Sequence, residues 1–289
     1  MKVLVTGADG QLGTDICAVL RNYEVIPVTH KDIEITNIDS VQEVCKKYHP
    51  DIIINTAAYV RVDDCETEVQ KAFMINALGI RNVAVISQNI GAKLVHISTD
   101  YVFGGEAGRD SVPYTEFDLP VPLNIYGKSK LAGEDFVRRF HQRYFIIRTS
   151  GLFGIAGSSG KGGNFIETIL RLGKERDELQ IVNDQIFSPT STRDLAKIIA
   201  QIIATEYYGI FHITNRGICS WYEFAAEILK LADISTPVIP LHSDEYPQIA
   251  RRPNYSVLDN FHLKLLGMAD MRIWQEALED YMKERGYLK

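Results

Sequence analysis

The stretch KVLVTGADGQLG, residues 2–13, joins a short β-branched run to three glycines spaced GxxGxxG. The run predicts a buried β-strand, and a helix-like segment at 11–22 follows it directly. In this setting glycines let the chain turn tightly and bring backbone amides up to a pyrophosphate, while the helix presents its positive end to the same anion. Gly7, Gly10 and Gly13 therefore predict a dinucleotide-binding loop rather than an ordinary turn between a strand and a helix.

Strands and helices continue to alternate through the first half of the chain. Unbroken apolar strands separated by helices predict a parallel sheet covered on both faces, the doubly wound α/β fold of Rossmann type. Right-handed crossovers place the carboxyl ends of such strands along one edge, where ligands bind. The further strand candidates are 24–28, 51–57, 93–99 and 144–150, and the helix candidates between and after them are 39–48, 68–90 and 125–141.

Composition narrows the class of protein. The 289 residues, 46% of them hydrophobic, are enough for a sizeable core, and the net charge of −6 argues against a general nucleic-acid binder. The four cysteines form no CxxC pair, which predicts free thiols in a reducing compartment. No signal-peptide pattern is visible, and no apolar run approaches the ~20 residues of a membrane span. We expect a cytoplasmic protein without a nucleic-acid or membrane partner.

The end of the second strand predicts the cofactor. An acidic residue placed there would bind a ribose 2′-hydroxyl, but the sequence at this point reads Val28, Thr29, His30 and Lys31, with no well-placed carboxylate. A hydroxyl beside two potential cations suits a 2′-phosphate, so we expect NADPH. NADH stays open as the alternative if Lys31 is only a solvated surface charge.

The character of the sequence changes near residue 155, where the glycine- and serine-rich stretch GIAGSSGKGGNF leads into further helix candidates. We predict an NADP-binding Rossmann domain at 1–154, to which part of 180–215 returns, and a mainly substrate-binding, smaller α/β lobe at 155–289. The helix candidates of this half are 165–175, 192–204, 220–232 and 273–285.

The stretch PLNIYGKSKLAGE, residues 122–134, places Tyr126 and Lys130 on one face of a helix. The ammonium would favour the tyrosinate and lower the pKa of the tyrosine, which could then donate a proton to a carbonyl oxygen as hydride reaches the carbon. Ser98 and Thr99, at the end of the fourth strand, offer a hydroxyl to orient that carbonyl. Alone, the pair would be a helix-surface contact; with the glycine loop and the hydroxyl, it predicts a ketone reductase.

Four stretches, GADGQLG (7–13), STDYVF (98–103), YGKSKLAGE (126–134) and RTSGLFG (148–154), resemble the dTDP-4-dehydrorhamnose reductases, a family of extended short-chain dehydrogenase/reductases. The resemblance continues over nearly the whole chain through VNDQIFSPTSTRDLA, GIFHITNRGICSWYEFA and ARRPNYSVLD. It implies NADPH-dependent reduction of the C4 ketone of a nucleotide-linked 4-keto-6-deoxy sugar. The reaction it implies is the conversion of dTDP-4-dehydro-L-rhamnose to dTDP-L-rhamnose, for polysaccharide biosynthesis.

Residue roles follow from the same resemblance. Thr99 would orient the carbonyl, Tyr126 would donate the proton and Lys130 would tune Tyr126, with Asn76 behind the site. The cofactor residues it implies are Gly7, Gly10, Gln11, Leu12, Gly13, Thr29, His30, Lys31, Glu34, Ile35, Ala57, Ala58, Tyr59, Tyr126 and Lys130. The substrate residues it implies are Val60, Thr99, Asp100, Tyr101, Lys161, Gly163, Asn164, Arg251 and Arg252, the two arginines being suited to a diphosphate.

The sequence departs from the family pattern in two places. Members commonly read RTSW where this chain reads RTSG, so an aromatic wall of the sugar pocket is absent at Gly151, and the glycine-rich loop after it is longer than usual. Some members hold magnesium at a dimer interface. Asp15 keeps one acidic position of that site, but Arg193 stands at another, so we expect no metal. A homodimer stays possible.

Two other functions stay open. An epimerase or dehydratase of the same superfamily would recycle its hydride, but a dehydratase needs an acid–base pair where this chain has Asp100 and Tyr101. A non-catalytic NADP-binding subunit, such as the regulatory β subunit of methionine adenosyltransferase, also resembles this family. The acidic residues Asp63, Asp64, Glu66 and Glu68 predict only a solvated surface.

Overall fold

A parallel sheet organises the protein in a computed structural model that describes residues 1–106, 108–109, 111–157, 163–268 and 270–288. In this described part, the central sheet has six strands, and its order places the first strand of the chain beside the second and the third. The predicted doubly wound parallel sheet is therefore confirmed. From one edge to the other the strands are Gly209–His212 (β10), Tyr144–Arg148 (β5), Lys93–Ile97 (β4), Ile52–Asn55 (β3), Lys2–Thr6 (β1) and Glu24–Val28 (β2).

Helices cover both faces of the sheet because the strands are apolar on both sides. Val3 and Val5 face one core and Leu4 faces the other, and all three are fully buried. The helices on the first face are Gln11–Val19 (α1) and Thr192–Ile202 (α8), and those on the second are Ile38–Tyr48 (α2), Ile80–Asn89 (α5) and Ile125–Phe140 (α6).

The segment between β3 and α5 is less regular than the single helix predicted at 68–90. Two short α-helices, Val62–Thr67 (α3) and Val69–Phe73 (α4), come first, and a π-helix at Met74–Gly79 then leads into α5. A π-turn widens the helix by one residue and redirects the side chains within it. Asn76 lies in this turn and is buried.

The C-terminal elements form a separate core around Phe153, Phe224 and Trp274. Short strand pairs join them: Leu179–Val182 (β7) with Val238–Leu241 (β12), Ile186–Phe187 (β8) with Cys219–Ser220 (β11), and Leu152–Phe153 (β6) with Thr190–Ser191 (β9). By contrast, α8 packs against α1, and β10 extends the central sheet. No helix in the described residues is long and apolar enough to cross a membrane. The helices of this part are Phe165–Glu175 (α7), Trp221–Leu231 (α9), Phe261–Leu265 (α10) and Trp274–Glu284 (α11).

Candidate active site

A cavity of about 1530 Å³ opens at the carboxyl edge of the central sheet. Many of the predicted site residues line it, from the glycine loop to the start of α7: Gly7, Gly10, Gln11, Leu12, Thr29, His30, Glu34, Ile35, Ala57, Ala58, Val60, Thr99, Asp100, Tyr101, Tyr126, Lys130, Gly163 and Asn164. Five other predicted residues are described but are not part of its lining: Gly13, Lys31, Tyr59, Arg251 and Arg252. Lys161 lies outside the described residues.

The glycine loop between β1 and α1 fits a dinucleotide. Gly10 donates to the Gly7 carbonyl at 2.9 Å, and α1 begins at Gln11, so its free amide end faces the cavity. A Cβ on Gly13 would lie 2.2 Å from that carbonyl, so only glycine allows this tight turn. The Gln11 Oε1 atom is buried without a hydrogen-bond partner in the described residues. A pyrophosphate would accept hydrogen bonds from the free amides at the start of α1, and a ribose hydroxyl would donate one to Gln11 Oε1.

Two carboxylates lie near the end of β2, where the sequence indicated no well-placed acid. Asp32 accepts hydrogen bonds from the Thr29 amide and hydroxyl, both at 2.8 Å, and these bonds lower the pKa of Asp32. Glu34 lines the cavity and lies 3.5 Å from His30 Nδ1. The Thr29 hydroxyl is therefore already engaged, and Lys31 is exposed outside the cavity lining.

Thr99, Tyr126 and Lys130 meet on one wall of the cavity. Thr99 follows β4, where its hydroxyl caps the 3-10 helix Asp100–Val102 and lies close enough to Tyr126 to affect the pKa of that tyrosine. Tyr126 lies in the first turn of α6, and its ring meets that of Tyr101 edge-on at 6.0 Å. Lys130 follows one turn later, and its buried ammonium donates to the Ile97 carbonyl at 2.6 Å.

Burial dominates the protonation of the tyrosine–lysine pair. It raises the pKa of Tyr126, against the lowering effect of the Thr99 hydroxyl, so the pKa shifts opposite to the predicted direction. The physical reason is the cost of removing a phenolate from water. Burial also lowers the pKa of Lys130 to about 8, with Glu134 acting in the opposite direction. Tyr126 is therefore protonated at neutral pH, the form that can donate a proton.

Asp100, predicted to line the sugar pocket, is mostly engaged by neighbouring hydroxyls. It accepts hydrogen bonds from Thr99 at 3.0 Å, Ser150 at 2.8 Å and Ser256 at 2.6 Å. Burial raises the pKa of Asp100 to about 6. Its carboxylate thus connects the ends of β4 and β5 with the C-terminal segment that carries Ser256.

Contacts that the sequence did not reveal hold the start of α6. Glu66, predicted to be a solvated acid, accepts the Ile125 amide at 2.8 Å. Asn124 caps the helix by accepting the Gly127 amide at 2.8 Å. From the π-helix, Asn76 donates to the Ser129 hydroxyl at 3.0 Å. An Asn before a helical pattern is a visible cap signal, whereas Glu66 lies 59 residues away in the chain and gives none.

Asp63, which was also predicted to be a solvated acid, forms an ion pair with Arg252. The two side chains form a bidentate ion pair, with Nη2 to Oδ2 at 2.6 Å and Nη1 to Oδ1 at 3.2 Å, and Asp63 also accepts the Ala250 amide. Arg252 also lies close to Tyr101, which lines the cavity. Arg251 is exposed, and its carbonyl accepts a bond from Asn124.

Other predicted positions have structural partners. Asn164 caps α7 by accepting the Glu167 amide, and its own amide donates to Gly154 and Tyr281, so its side chain is already engaged. Asp15 is hydrogen-bonded to Thr192. The described residues contain no group of three or more His, Cys, Asp or Glu side chains able to hold a metal ion.

The family model for the RmlD substrate binding domain matches residues 1–286. The chain belongs to the dTDP-4-dehydrorhamnose reductase family. Within this family it is 36% identical to the dTDP-4-dehydrorhamnose reductase of Aggregatibacter actinomycetemcomitans, over 96% of this chain and 97% of that protein. It is 44% identical to the spore coat polysaccharide biosynthesis protein SpsK of Bacillus subtilis, over 98% of both.

A solved structure from this family has the same fold. The dTDP-4-dehydrorhamnose reductase of Bacillus anthracis, in complex with NADP, superposes with a TM-score of 0.93 at 47% identity, over 98% of this chain and 99% of that one. The family resemblance seen in the sequence is confirmed. The protein is an NAD(P)-dependent oxidoreductase of the dTDP-4-dehydrorhamnose reductase type.

Proposed function

We propose that the protein reduces the C4 ketone of dTDP-4-dehydro-L-rhamnose, a nucleotide-linked 4-keto-6-deoxy sugar, to give dTDP-L-rhamnose. The observation that carries the proposal is the meeting of Thr99, Tyr126 and Lys130 on one wall of a cavity that also contains the glycine loop. The polysaccharide biosynthesis named for the B. subtilis relative is consistent with this product.

The side chains divide the chemistry between them. A bound nicotinamide supplies the hydride to C4. Thr99 and Tyr126 hydrogen-bond the C4 oxygen, and Tyr126 gives that oxygen the proton that completes the hydroxyl. The buried ammonium of Lys130, one turn along α6, then stabilises the tyrosinate until solvent returns the proton.

Turnover tests the reaction directly. Purified protein mixed with NADPH and dTDP-4-dehydro-L-rhamnose should oxidise NADPH, followed at the nicotinamide absorbance band. Tyr126→Phe should lower kcat roughly 100-fold or more, because it removes the proton donor, with little change in NADPH affinity. Tyr207→Phe, at an exposed tyrosine, serves as the matched control. Near-normal turnover in Tyr126→Phe would refute the assignment, and no oxidation by the wild type would favour the binding-subunit function.

We propose NADPH as the preferred cofactor. His30 lines the cavity and Lys31 follows it, so two potential cations flank the expected position of a 2′-phosphate, although Glu34 lies beside them. Lys31→Glu should lower the ratio of kcat/KM for NADPH to that for NADH by roughly 10-fold. Lys46→Glu, on the exposed side of α2, is the control. An unchanged ratio in Lys31→Glu would contradict the proposal.

We further propose that the chain divides into an NADP-binding domain at 1–154 and a substrate-binding lobe at 155–289. Two features support this division: the separate core of the C-terminal elements and the addition of β10 to the central sheet.

A further inference from the structure

Gly151 leaves no space for a side chain on the wall of the cavity that follows β5. Its φ is +54°, and a Cβ at this position would lie 2.4 Å from Cε2 and 2.7 Å from Cδ2 of Phe187. The ring of Phe187, from β8, occupies the space next to the backbone at this point.

Phe187 belongs to a stack of rings that line the cavity. Its ring stacks on Trp221 with centroids 4.0 Å apart and an interplanar angle of 25°, and Trp221 in turn meets Phe165 at 4.7 Å. Trp221 begins α9, whose capping box between Ser220 and Glu223 fixes the start of the helix. Phe187 is buried and Trp221 is half-buried, so these stacked rings form an apolar wall of the cavity.

Gln185, just before β8, adds an unused donor to this wall. It is 4% exposed and lines the cavity, and its Nε2 has no hydrogen-bond partner in the described residues. Burying a donor without a partner is unfavourable, so an oxygen of a bound molecule is the natural acceptor.

The wall lies close to the reacting groups. Ser256 donates its amide to the Ile186 carbonyl at 3.0 Å and its hydroxyl to Asp100, which in turn accepts from Thr99. Ser150, which precedes Gly151, donates to the same carboxylate. The aromatic wall and Gln185 are thus connected through Asp100 to the hydroxyl that would orient the ketone.

We propose that Gln185, Phe187 and Trp221 select the sugar of the substrate, an inference that rests on the proposed reductase function. The rings cover the C–H face and the methyl group of a 6-deoxyhexose, and the Gln185 amide donates to a sugar oxygen. Phe187 in β8 and Trp221 in α9 line this part of the cavity, where Gly151 leaves no space for a side chain of its own. Removing them weakens binding of the sugar but leaves binding of the nucleotide intact.

Calorimetry with two ligands separates sugar from nucleotide. The protein, saturated with NADP⁺, is titrated with dTDP and with dTDP-L-rhamnose, and the ratio of the two Kd values measures the contribution of the sugar. Gln185→Leu, Phe187→Leu and Trp221→Leu are compared with Gln180→Leu, at an exposed glutamine of β7, and Phe117→Leu, at a ring that is 73% exposed. An unchanged Kd for NADP⁺ shows that each variant is folded.

In the wild type, we expect tighter binding of dTDP-L-rhamnose than of dTDP. Each of the three wall variants should remove most of this preference and raise KM for the keto sugar about 10-fold, with the Kd of dTDP unchanged. If all three variants keep the preference while the wild type turns over, the sugar-selecting role of these residues is refuted and the reductase function stands. Loss of dTDP affinity itself would also overturn it, because the rings would then hold the base. A wild type that shows neither turnover nor a preference overturns both proposals.

Discussion

The buried carboxylate of Asp100 makes the stability of the protein depend on pH. Asp100 is 4% exposed and accepts hydrogen bonds from three hydroxyls, none of which carries a positive charge. Hydroxyl donors only partly offset the cost of burying the charge, so the pKa of Asp100 is raised from 3.8 to about 6. Folding therefore favours the protonated carboxyl.

The sign of this shift gives a stability prediction. Below about pH 4, Asp100 is protonated in both states; as the pH rises to about 6, the unfolded carboxyl ionises first and the folded state loses stability. Asp100→Asn cannot titrate, so its free energy of unfolding should rise relative to the wild type by about 2–3 kcal/mol between pH 4 and pH 7. Urea unfolding at four pH values in this range measures the difference.

Only the slope of this free-energy difference against pH matters, because any hydrogen bond lost in Asp100→Asn is lost equally at every pH. Asp118→Asn is the contrasting control: its ion pair with Arg109 lowers the pKa of Asp118 to about 2, so that carboxyl stays ionised across the window and the difference should be flat. A flat difference for Asp100→Asn as well would show that the carboxylate is not destabilised by burial.

Single residues show which parts of the site a sequence reveals. Tyr126 and Lys130 are four positions apart on one helix, so their neighbourhood follows from helical geometry alone. The pKa of Tyr126 does not, because it depends on burial by the rest of the fold. The three donors to Asp100 come from distant segments, and no local pattern indicates them.

At the scale of elements, periodicity predicts the regular helices and strands well. The strands β1 to β5 and the helices α1, α2 and α6 lie close to their predicted ranges because each has a clear apolar pattern. The predicted helix at 68–90 contains a π-turn instead, in which Asn76 holds both the amide and the carbonyl of Tyr59. That turn responds to tertiary contacts, which a local pattern does not record.

At the scale of the whole molecule, an ion pair connects the two halves of the chain beside the cavity. Asp63, in α3, binds Arg252 and the Ala250 amide, 189 and 187 residues away. The sequence predicted Arg252 as a diphosphate ligand and Asp63 as solvated surface, and it could not reveal that the two charges meet. Any phosphate that binds Arg252 must therefore compete with this carboxylate.

Neutralising Asp63 tests that competition. Asp63→Asn keeps an oxygen for the Ala250 amide but leaves the guanidinium uncompensated, so dTDP should bind roughly 3- to 10-fold more tightly. Arg252→Gln should weaken dTDP binding by roughly 10-fold or more, whereas Arg171→Gln, at an exposed arginine paired within α7, should leave it unchanged. Calorimetry gives the affinities. A lower melting temperature in Asp63→Asn with unaltered dTDP affinity would mean that the ion pair joins the two halves without taking part in phosphate binding.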